Sequence, residues 1–285
     1  MLPIFVQSFK GSKKLNIIKS RLKQLKLKYK IIYSLNLTKF NKKIFKNKFY
    51  NNQKTRQILG REMSGTEIAC AYGHIKIYKY IIKNKIPRAI IFEDDAWPKN
   101  NFVNWYNKNF KYKYTDILVF ASTSGYIEKK GTNFHQYKIH KYISHFNGTG
   151  AYSINLKTCK KIINDTNGIV STVADWPINL IKNKIKSAII LPPVVKLIKQ
   201  NSSYLKRDRK KLVKDYSIKK IIPNFILSIL LTVYYLLYIP YFLKRYTNLD
   251  FYKEHFVNKK IIIIKNFFTR NYLDIEKLYY NKKNS

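Results

Sequence analysis

Three consecutive carboxylates, Glu93-Asp94-Asp95, are the residues of this chain best suited to chemistry. They directly follow the apolar run from Ala89 to Phe92, which is typical of a strand buried on both faces of an α/β sheet. Ligands of open α/β sheets bind beyond the carboxyl ends of the strands. In extended backbone Glu93 and Asp95 point the same way, so they can share a divalent cation that neutralises a leaving diphosphate. The alternative is an acidic turn that balances neighbouring lysines.

The charge of the whole chain makes these acids stand out. Lys and Arg number 56 among 285 residues, against 15 Asp and Glu, which gives a formal net charge of +41. Such a surface attracts polyanions: nucleic acid, anionic lipid head groups or phosphorylated substrates. Hydrophobic residues make up 46% of the chain and predict a packed core, while the two cysteines suit a reducing compartment and exclude a disulfide framework.

Alternating strands and helices are predicted to position the acids. A helix from Ser64 to about Asn84 begins with a capping box, Ser64-Gly65-Thr66-Glu67, and precedes the strand that leads into Glu93. The polar, basic stretch 36–57 has no clear period and predicts a mobile connection. The remaining predicted elements are strands at 4–6, 29–35, 116–120 and 150–154 and helices near 15–25 and 157–163. This order predicts an α/β fold with a mainly parallel sheet and helices on both faces.

An uncharged run of 23 residues, Ile221 to Leu243, follows the predicted sheet and is bracketed by Lys219, Lys220, Lys244 and Arg245. Its length is enough to span a bilayer. Prolines near its ends and basic residues on both flanks favour a helix in the membrane interface equally well, and a buried helix of the globular domain is the third alternative. No signal peptide is predicted at Met1, so we expect the protein at the cytoplasmic face of the inner membrane.

The stretch Ser64 to Asp95 resembles the signature of the lipopolysaccharide-biosynthesis glycosyltransferases of family 25, in which a Gly-Glu-Ile-Gly-Cys-Ala-x-Ser-His helix precedes a strand ending in Glu-Asp-Asp. The resemblance extends over about residues 1–210. Other similar stretches follow in the family's order: PIFVQSFKGSKK at the start, Gly148 to Tyr152, Val173 to Asp175, and Pro192-Pro193 followed by Gln200 and Ser202. The chain departs from the pattern at Lys14, where the family usually has Arg, at Thr66 to Ala69, and at Gly73, where the family has Ser.

The resemblance implies a GT-A-like, Rossmann-type catalytic domain over residues 1–215, followed by a basic, membrane-associating region with an apolar helical segment over 216–285. Such enzymes transfer a sugar, often galactose from UDP-galactose, with inversion onto a lipopolysaccharide or other cell-surface saccharide, commonly with Mn²⁺ or Mg²⁺. The implied partners are a nucleotide-sugar donor, a saccharide or lipid-linked saccharide acceptor and an anionic membrane surface.

The same resemblance implies roles for ten residues. The metal would bind Glu93 and Asp95, and Asp175 is the candidate for the general base that inversion requires. The donor site would contain Ser8, Lys14, Glu67, His74 and Asp94, and the acceptor would meet Trp176 and Gln200. Two alternatives stay open: Asp175 before Trp-Pro is also typical of a helix start, and Glu67 and His74 can instead cap their helix and order the sheet's edge.

The main competing function is a basic protein that binds nucleic acid or a membrane surface without catalysis. The interleaved Tyr, Phe and Lys favour it. The sequence has no zinc-ligand spacing, no aromatic ribonucleoprotein motif and no GXXG loop, and an apolar run would be a liability in a nucleic-acid binder. We therefore expect an enzyme with no nucleic-acid partner.

Overall fold

The structure is a computed structural model that describes residues 1–35, 49–107, 115–121, 123–198 and 272–274. Gln200, Ser202 and the apolar segment from Ile221 to Leu243 with its basic flanks lie outside the described residues. Within the part that is described, none of the helices has both the length and the apolar character needed to cross a membrane.

The described residues form twelve strands and five helices. The strands are β1 (Ile4–Ser8), β2 (Lys30–Tyr33), β3 (Arg88–Glu93), β4 (Ala96–Pro98), β5 (Ile117–Val119), β6 (Tyr126–Glu128), β7 (Thr132–Phe134), β8 (Tyr137–Lys141), β9 (Ala151–Asn155), β10 (Ser187–Leu191), β11 (Val195–Leu197) and β12 (Tyr272–Asp274). The helices are α1 (Lys13–Gln24), α2 (Asn52–Leu59), α3 (Gly65–Lys83), α4 (Asn100–Asn107) and α5 (Leu156–Thr166).

Eight strands make one sheet in the spatial order β2-β1-β3-β9-β5-β10-β8-β7. β1 runs parallel to β2 and β3, and β10 runs parallel to β5. β9 is antiparallel to its neighbours β3 and β5, and β8 is antiparallel to β10 and β7. Six of the eight strands therefore share one direction and β8 and β9 oppose it, which confirms the predicted mainly parallel α/β sheet.

The alternation of strands and helices in the sequence did not predict that β9 runs opposite to its neighbours in the sheet. A parallel neighbour needs a crossover connection, usually a helix, whereas an antiparallel one does not. Between β5 and β9 the described chain carries the short strands β6 to β8 and no helix, so β9 returns beside β5 in the opposite direction.

Two short sheets lie beside the main one. β4 pairs with β11, and β6 pairs with β12. In the second pair Leu273 lies opposite Ile127. The strand β12 belongs to the predicted C-terminal region 216–285, so three residues of that region pair with the body of the protein.

Hydrophobic cores cover both faces of the sheet, because alternate residues of the central strands point to opposite sides. Phe5 and Ile91 pack with α3 and α5 on one side. Ile4, Ile90 and Phe92 pack with α1 and α4 on the other. The predicted helices on both faces are confirmed, and they pack against β1 and β3, which are paired with each other.

Helix α3 begins as predicted. The Ser64 hydroxyl accepts a hydrogen bond from the Glu67 amide at 3.2 Å, and the Glu67 carboxylate accepts one from the Ser64 amide at 2.9 Å. The prediction that 36–57 is wholly a connection is wrong at its end, since α2 starts at Asn52. The Asn51 side chain caps α2 and Gly60 ends it in the left-handed conformation, so local capping makes a helix where there is little apolar periodicity.

Candidate active site

Ser8 and Asp94 meet at the carboxyl edge of the sheet. β1 and β3 are parallel neighbours with Gln7 opposite Glu93, so the residues at the ends of both strands lie side by side. The Ser8 hydroxyl donates a hydrogen bond to Asp94 Oδ2 at 2.7 Å. Burial raises the pKa of Asp94, while hydrogen bonds from the hydroxyls of Ser12 and Ser8 act against that rise. The structure thus brings together two of the residues predicted for the donor site.

Lys14 faces the same carboxylates from the first turn of α1. Gly11 has a φ of +84°, a left-handed conformation that suits glycine, and it turns the chain from β1 into the helix. Lys14 Nζ lies 3.2 Å from Asp95 Oδ2, and the two side chains are 20% and 27% exposed. Burial and the negative charge of Glu93 raise the pKa of Asp95 to about 6, and the Lys14 cation opposes this shift. Lys14 therefore supplies a cation at the acidic edge, and its role in donor binding stays a prediction.

Glu93 is held by two side chains from other elements. His74 Nε2 on α3 lies 3.1 Å from Glu93 Oε1, and the Thr149 hydroxyl donates a hydrogen bond to the same oxygen at 2.8 Å. Burial alone would raise the pKa of Glu93, but the interactions with His74, Thr149 and Lys14 outweigh it and lower the pKa below its ordinary value. Glu93 is thus kept as a carboxylate with a fixed orientation.

A chain of buried hydrogen bonds supports His74. Its Nδ1 lies 2.8 Å from the Tyr152 hydroxyl on β9, which lies 2.6 Å from the Tyr78 hydroxyl on α3. All three side chains are at most 2% exposed. Water cannot compete with these contacts, so the imidazole has one defined position relative to Glu93.

Asp175 is connected to the site by hydrogen bonds of the segment just before β9. Its Oδ1 accepts a hydrogen bond from the Gly148 amide at 2.9 Å. Thr149, the next residue, binds the Glu93 side chain, and the Gly150 carbonyl accepts a hydrogen bond from the Glu93 amide at 2.9 Å. Three consecutive residues therefore connect the carboxylate of Asp175 to Glu93, although the two acids are 82 positions apart in the sequence.

Trp176, which the resemblance places at the acceptor, is buried in the structure. The side chain is 0% exposed and packs edge-on against Tyr152 and Phe146, with ring centroids 5.0 and 5.2 Å apart. Its φ of +61° is uncommon for a residue with a side chain. The indole thus presents no open face to a sugar here, and its packing fixes the backbone next to Asp175.

Glu67, which the resemblance places in the donor site, is bound by residues close to it in the sequence. Its carboxylate binds the Ser64 amide and forms a two-point ion pair with Arg61, with distances of 2.9 and 2.7 Å. The Glu67 side chain is 1% exposed. These contacts match the alternative from the sequence, in which Glu67 caps its helix, and the donor-binding role stays a prediction.

The family of the chain follows from a sequence comparison. The model of glycosyltransferase family 25, described as lipopolysaccharide biosynthesis protein, matches residues 1–176. This chain belongs to glycosyltransferase family 25. The matched residues include every site residue described above, and they confirm the family that the Ser64 to Asp95 stretch indicated. No curated protein sequence matches the chain.

Several solved structures are similar to this family 25 chain at low identity. A glycosyltransferase involved in glycosylation of the major capsid of PBCV-1 has 8% identity and a TM-score of 0.38, covering 73% of this chain and 97% of its own. The galactosyltransferase LgtC, in complex with donor and acceptor sugar analogs, has 8% identity and a TM-score of 0.40, with coverages of 75% and 96%. The inositol-1-phosphate CTP transferase from T. maritima has 9% identity and a TM-score of 0.40, with coverages of 74% and 96%.

The acids of the family 25 site suit a hard divalent cation. Among the described residues, Glu93 Oε2 and Asp95 Oδ1 have no hydrogen-bond partner, and both side chains are partly exposed, at 19% and 27%. Partly exposed carboxylate oxygens without protein partners are ligands that Mg²⁺ and Mn²⁺ accept. Asp95 lies in the turn after β3, so the extended geometry expected for Glu93 and Asp95 is wrong, but each side chain still offers such an ion an open oxygen.

Cys70 is a member of this family 25 site that the sequence reasoning missed. Its Sγ, a ring nitrogen of His74 and an oxygen of Glu93 all lie within 4.8 Å of one another. Burial raises the pKa of Cys70 well above its usual range, and the charges of the four acids Glu93, Asp175, Asp95 and Asp94 raise it further. The spacing of Cys70 and His74, four residues apart on a predicted helix, is the signal that would have indicated one shared face.

Proposed function

We propose that this protein transfers a sugar, galactose from UDP-galactose, with inversion onto a saccharide of lipopolysaccharide or another cell-surface glycan. Its membership of family 25 supports sugar transfer. The observation that carries the proposal is the Gly148 to Gly150 segment, which holds Asp175 and Glu93 at one edge of the sheet. A metal-assisted transfer with inversion uses carboxylates in two roles. Some bind the metal ion at the leaving diphosphate, and another acts as the general base for the acceptor hydroxyl.

Glu93 and Asp95 are the proposed ligands of Mn²⁺ or Mg²⁺. When bound, such an ion supplies positive charge to the leaving nucleoside diphosphate. Lys14 adds a second cation at the same edge, since its ammonium already contacts Asp95. Ser8 fixes Asp94 by a buried hydrogen bond, so these two residues shape the floor of the proposed donor site.

Asp175 is the proposed general base, which takes the proton of the acceptor hydroxyl. The Gly148 amide donates to Oδ1 and so sets the direction of the carboxylate. The packing of buried Trp176 holds the adjacent backbone in its left-handed conformation. A base fixed in this way needs little reorganisation at the moment of proton transfer.

The proposed location is the cytoplasmic face of the inner membrane, with a catalytic domain over residues 1–215 and a membrane-associating region over 216–285. The support is the uncharged run Ile221 to Leu243 and its four basic flanking residues. Basic residues beside an apolar segment are attracted to anionic lipid head groups. A lipid-linked saccharide, the proposed acceptor, would lie at the same surface.

The decisive experiment is a hydrolysis and transfer screen with the full chain. UDP-, GDP- and CMP-sugars are offered with and without Mn²⁺, and release of the nucleotide is measured. We expect release from UDP-galactose that depends on the metal and increases with a saccharide acceptor. No release from any donor would favour the alternative of a basic binding protein.

A further inference from the structure

Cys70, His74 and Glu93 offer a sulfur, a nitrogen and an oxygen ligand at one point. The three ligand atoms lie within 4.8 Å of one another, and His74 Nε2 is already 3.1 Å from Glu93 Oε1. Around a tetrahedral Zn²⁺ such atoms are roughly 3.4 to 3.6 Å apart, as follows from bond lengths of about 2.0 to 2.3 Å. Side-chain movements of about 1 Å therefore close the set around one ion.

The hydrogen bonds that orient these ligands are of the kind found in metal sites. A metal-binding histidine usually has its second ring nitrogen fixed by a hydrogen bond, and a ligating carboxylate is usually hydrogen-bonded as well. His74 Nδ1 contacts the Tyr152 hydroxyl at 2.8 Å, and the Thr149 hydroxyl donates to Glu93 at 2.8 Å. Because Tyr152 can donate or accept, it supports either tautomer of His74.

Access is also available. Cys70 is partly exposed, and the Glu93 side chain is 19% exposed, so an ion can enter from solvent. Two of the ligands, Cys70 and His74, are one helical turn apart on α3, and this rigid helix fixes their separation.

We propose that Cys70, His74 and Glu93 form a thiolate-containing site for a borderline-soft divalent cation such as Zn²⁺, distinct from the all-oxygen site for Mn²⁺ or Mg²⁺. Sulfur and imidazole ligands select Zn²⁺ over Mg²⁺ and Mn²⁺. Both sites need Glu93, so an ion held by Cys70 removes one ligand from the other site. Zn²⁺ therefore inhibits sugar transfer; this consequence rests on the proposed function, whereas the binding site does not.

The proton balance of binding is simple. The Cys70 thiol releases its proton to solvent as the sulfur binds the cation. His74 binds through Nε2 as the neutral ring with its proton on Nδ1, donated to the Tyr152 hydroxyl oxygen. No oxidation or reduction takes place, and one proton is released for each ion bound.

The test uses Co²⁺ as a coloured substitute for Zn²⁺ in the metal-free full chain. We expect one Co²⁺ per chain, with the near-ultraviolet charge-transfer absorption of a cobalt-thiolate bond, displaced by Zn²⁺. Cys70→Ser loses this absorption. Cys159→Ala keeps it, because Cys159 lies buried on α5 and is not among the three ligands. Asp95→Asn keeps it as well, since Asp95 belongs to the oxygen site alone.

A wild-type complex without thiolate absorption, or unchanged absorption in Cys70→Ser, would overturn the proposal. The inhibition is measured separately with Mn²⁺ present, as the Zn²⁺ concentration that halves each variant's own activity. We expect it to rise tenfold or more in Cys70→Ser and to stay constant in Cys159→Ala. If the protein accepts none of the sugar donors, the proposed function fails. The cobalt spectrum still tests the metal site in that case.

Discussion

The Nδ1 atom of His74 lies 2.8 Å from the hydroxyl oxygen of Tyr152, in a part of the core where both side chains are almost fully buried. This contact connects α3 to the antiparallel strand β9. If His74 donates through Nε2 to Glu93, its Nδ1 accepts from Tyr152, and Tyr152 in turn accepts from Tyr78. The four groups then form one directed chain of hydrogen bonds that ends at the carboxylate.

The first prediction concerns Tyr152→Phe, which removes the hydroxyl but keeps the ring. We expect turnover to fall by about tenfold, because His74 loses the contact that orients it toward Glu93. The free energy of unfolding should fall by about 1 to 3 kcal/mol, since buried polar groups lose a partner. Kinetics and urea unfolding of the same preparation measure both quantities.

The matched control is Tyr78→Phe, one step farther from Glu93. Tyr78→Phe should lower the free energy of unfolding about as much as Tyr152→Phe does. It should change turnover less, because Tyr152 still contacts His74. Equal losses of turnover in the two variants would show that the effect comes from general destabilisation and not from the orientation of His74.

The sequence predicted the acidic edge well because that edge depends on local patterns. The apolar run into Glu93 and the capping box at Ser64 each determine their own element, and the parallel pairing of β1 and β3 then brings Ser8 to Asp94. The departure at Gly73 has a structural reason, which is its close approach to β1. A Cβ there would lie 2.5 Å from the buried Gln7 side chain, so glycine makes room for it.

Other features depend on tertiary contacts, which the pattern of residue types along the chain does not predict. The burial of Trp176 depends on Phe146 and Tyr152, which come from another part of the chain. Arg61 is only six positions from Glu67, but their ion pair depends on how the segment before α3 folds back. The spacing of apolar residues predicts which face of a helix or strand is buried. It does not predict which polar groups contact the ends of that element.

The second prediction follows from the contacts of Glu67 with Ser64 and Arg61. Glu67→Gln should lower the free energy of unfolding by about 2 kcal/mol, because the buried carboxylate loses its charge-assisted bonds with Arg61. The control is Glu128→Gln. Its ion pair with Lys141 spans 4.0 Å between side chains that are 43% and 64% exposed, and such pairs contribute less than about 1 kcal/mol. Native stability together with lost donor binding in Glu67→Gln would support the donor-site role.

The third prediction tests the oxygen site for Mn²⁺ or Mg²⁺. Asp95→Asn removes a ligand charge and keeps the shape of the side chain, so we expect transfer to be abolished with the fold intact. Asp165→Asn is the matched control, since among the described residues Asp165 pairs with Lys161 on α5 alone, and that pair is partly exposed. Mn²⁺ affinity and transfer are measured for both. Full transfer by Asp95→Asn in excess EDTA would refute the metal assignment.

The fourth prediction separates the general base from the donor site. Asparagine at position 175 can still accept the hydrogen bond from the Gly148 amide but cannot take a proton. Asp175→Asn should therefore lower turnover by a factor on the order of 10² or more, while the affinity for the nucleotide sugar survives. Titration calorimetry with UDP-galactose and single-turnover transfer measure the two effects. Lost donor binding with unchanged chemistry would place Asp175 in the donor site instead.

The last prediction concerns Ile221 to Leu243 in the full chain. If this segment docks on a membrane, lipid burial supplies the hydrophobic free energy, and each flanking basic residue adds roughly 1 kcal/mol against anionic head groups. The protein should then sediment with vesicles that contain anionic lipid and resist extraction by salt. Replacing Ile229 and Leu236 with Asp should release it and leave UDP-galactose hydrolysis unchanged, because the eight-stranded sheet contains no residue after Leu191. Loss of the fold in this variant, or a wild-type protein that stays in the supernatant, would assign the segment to the core.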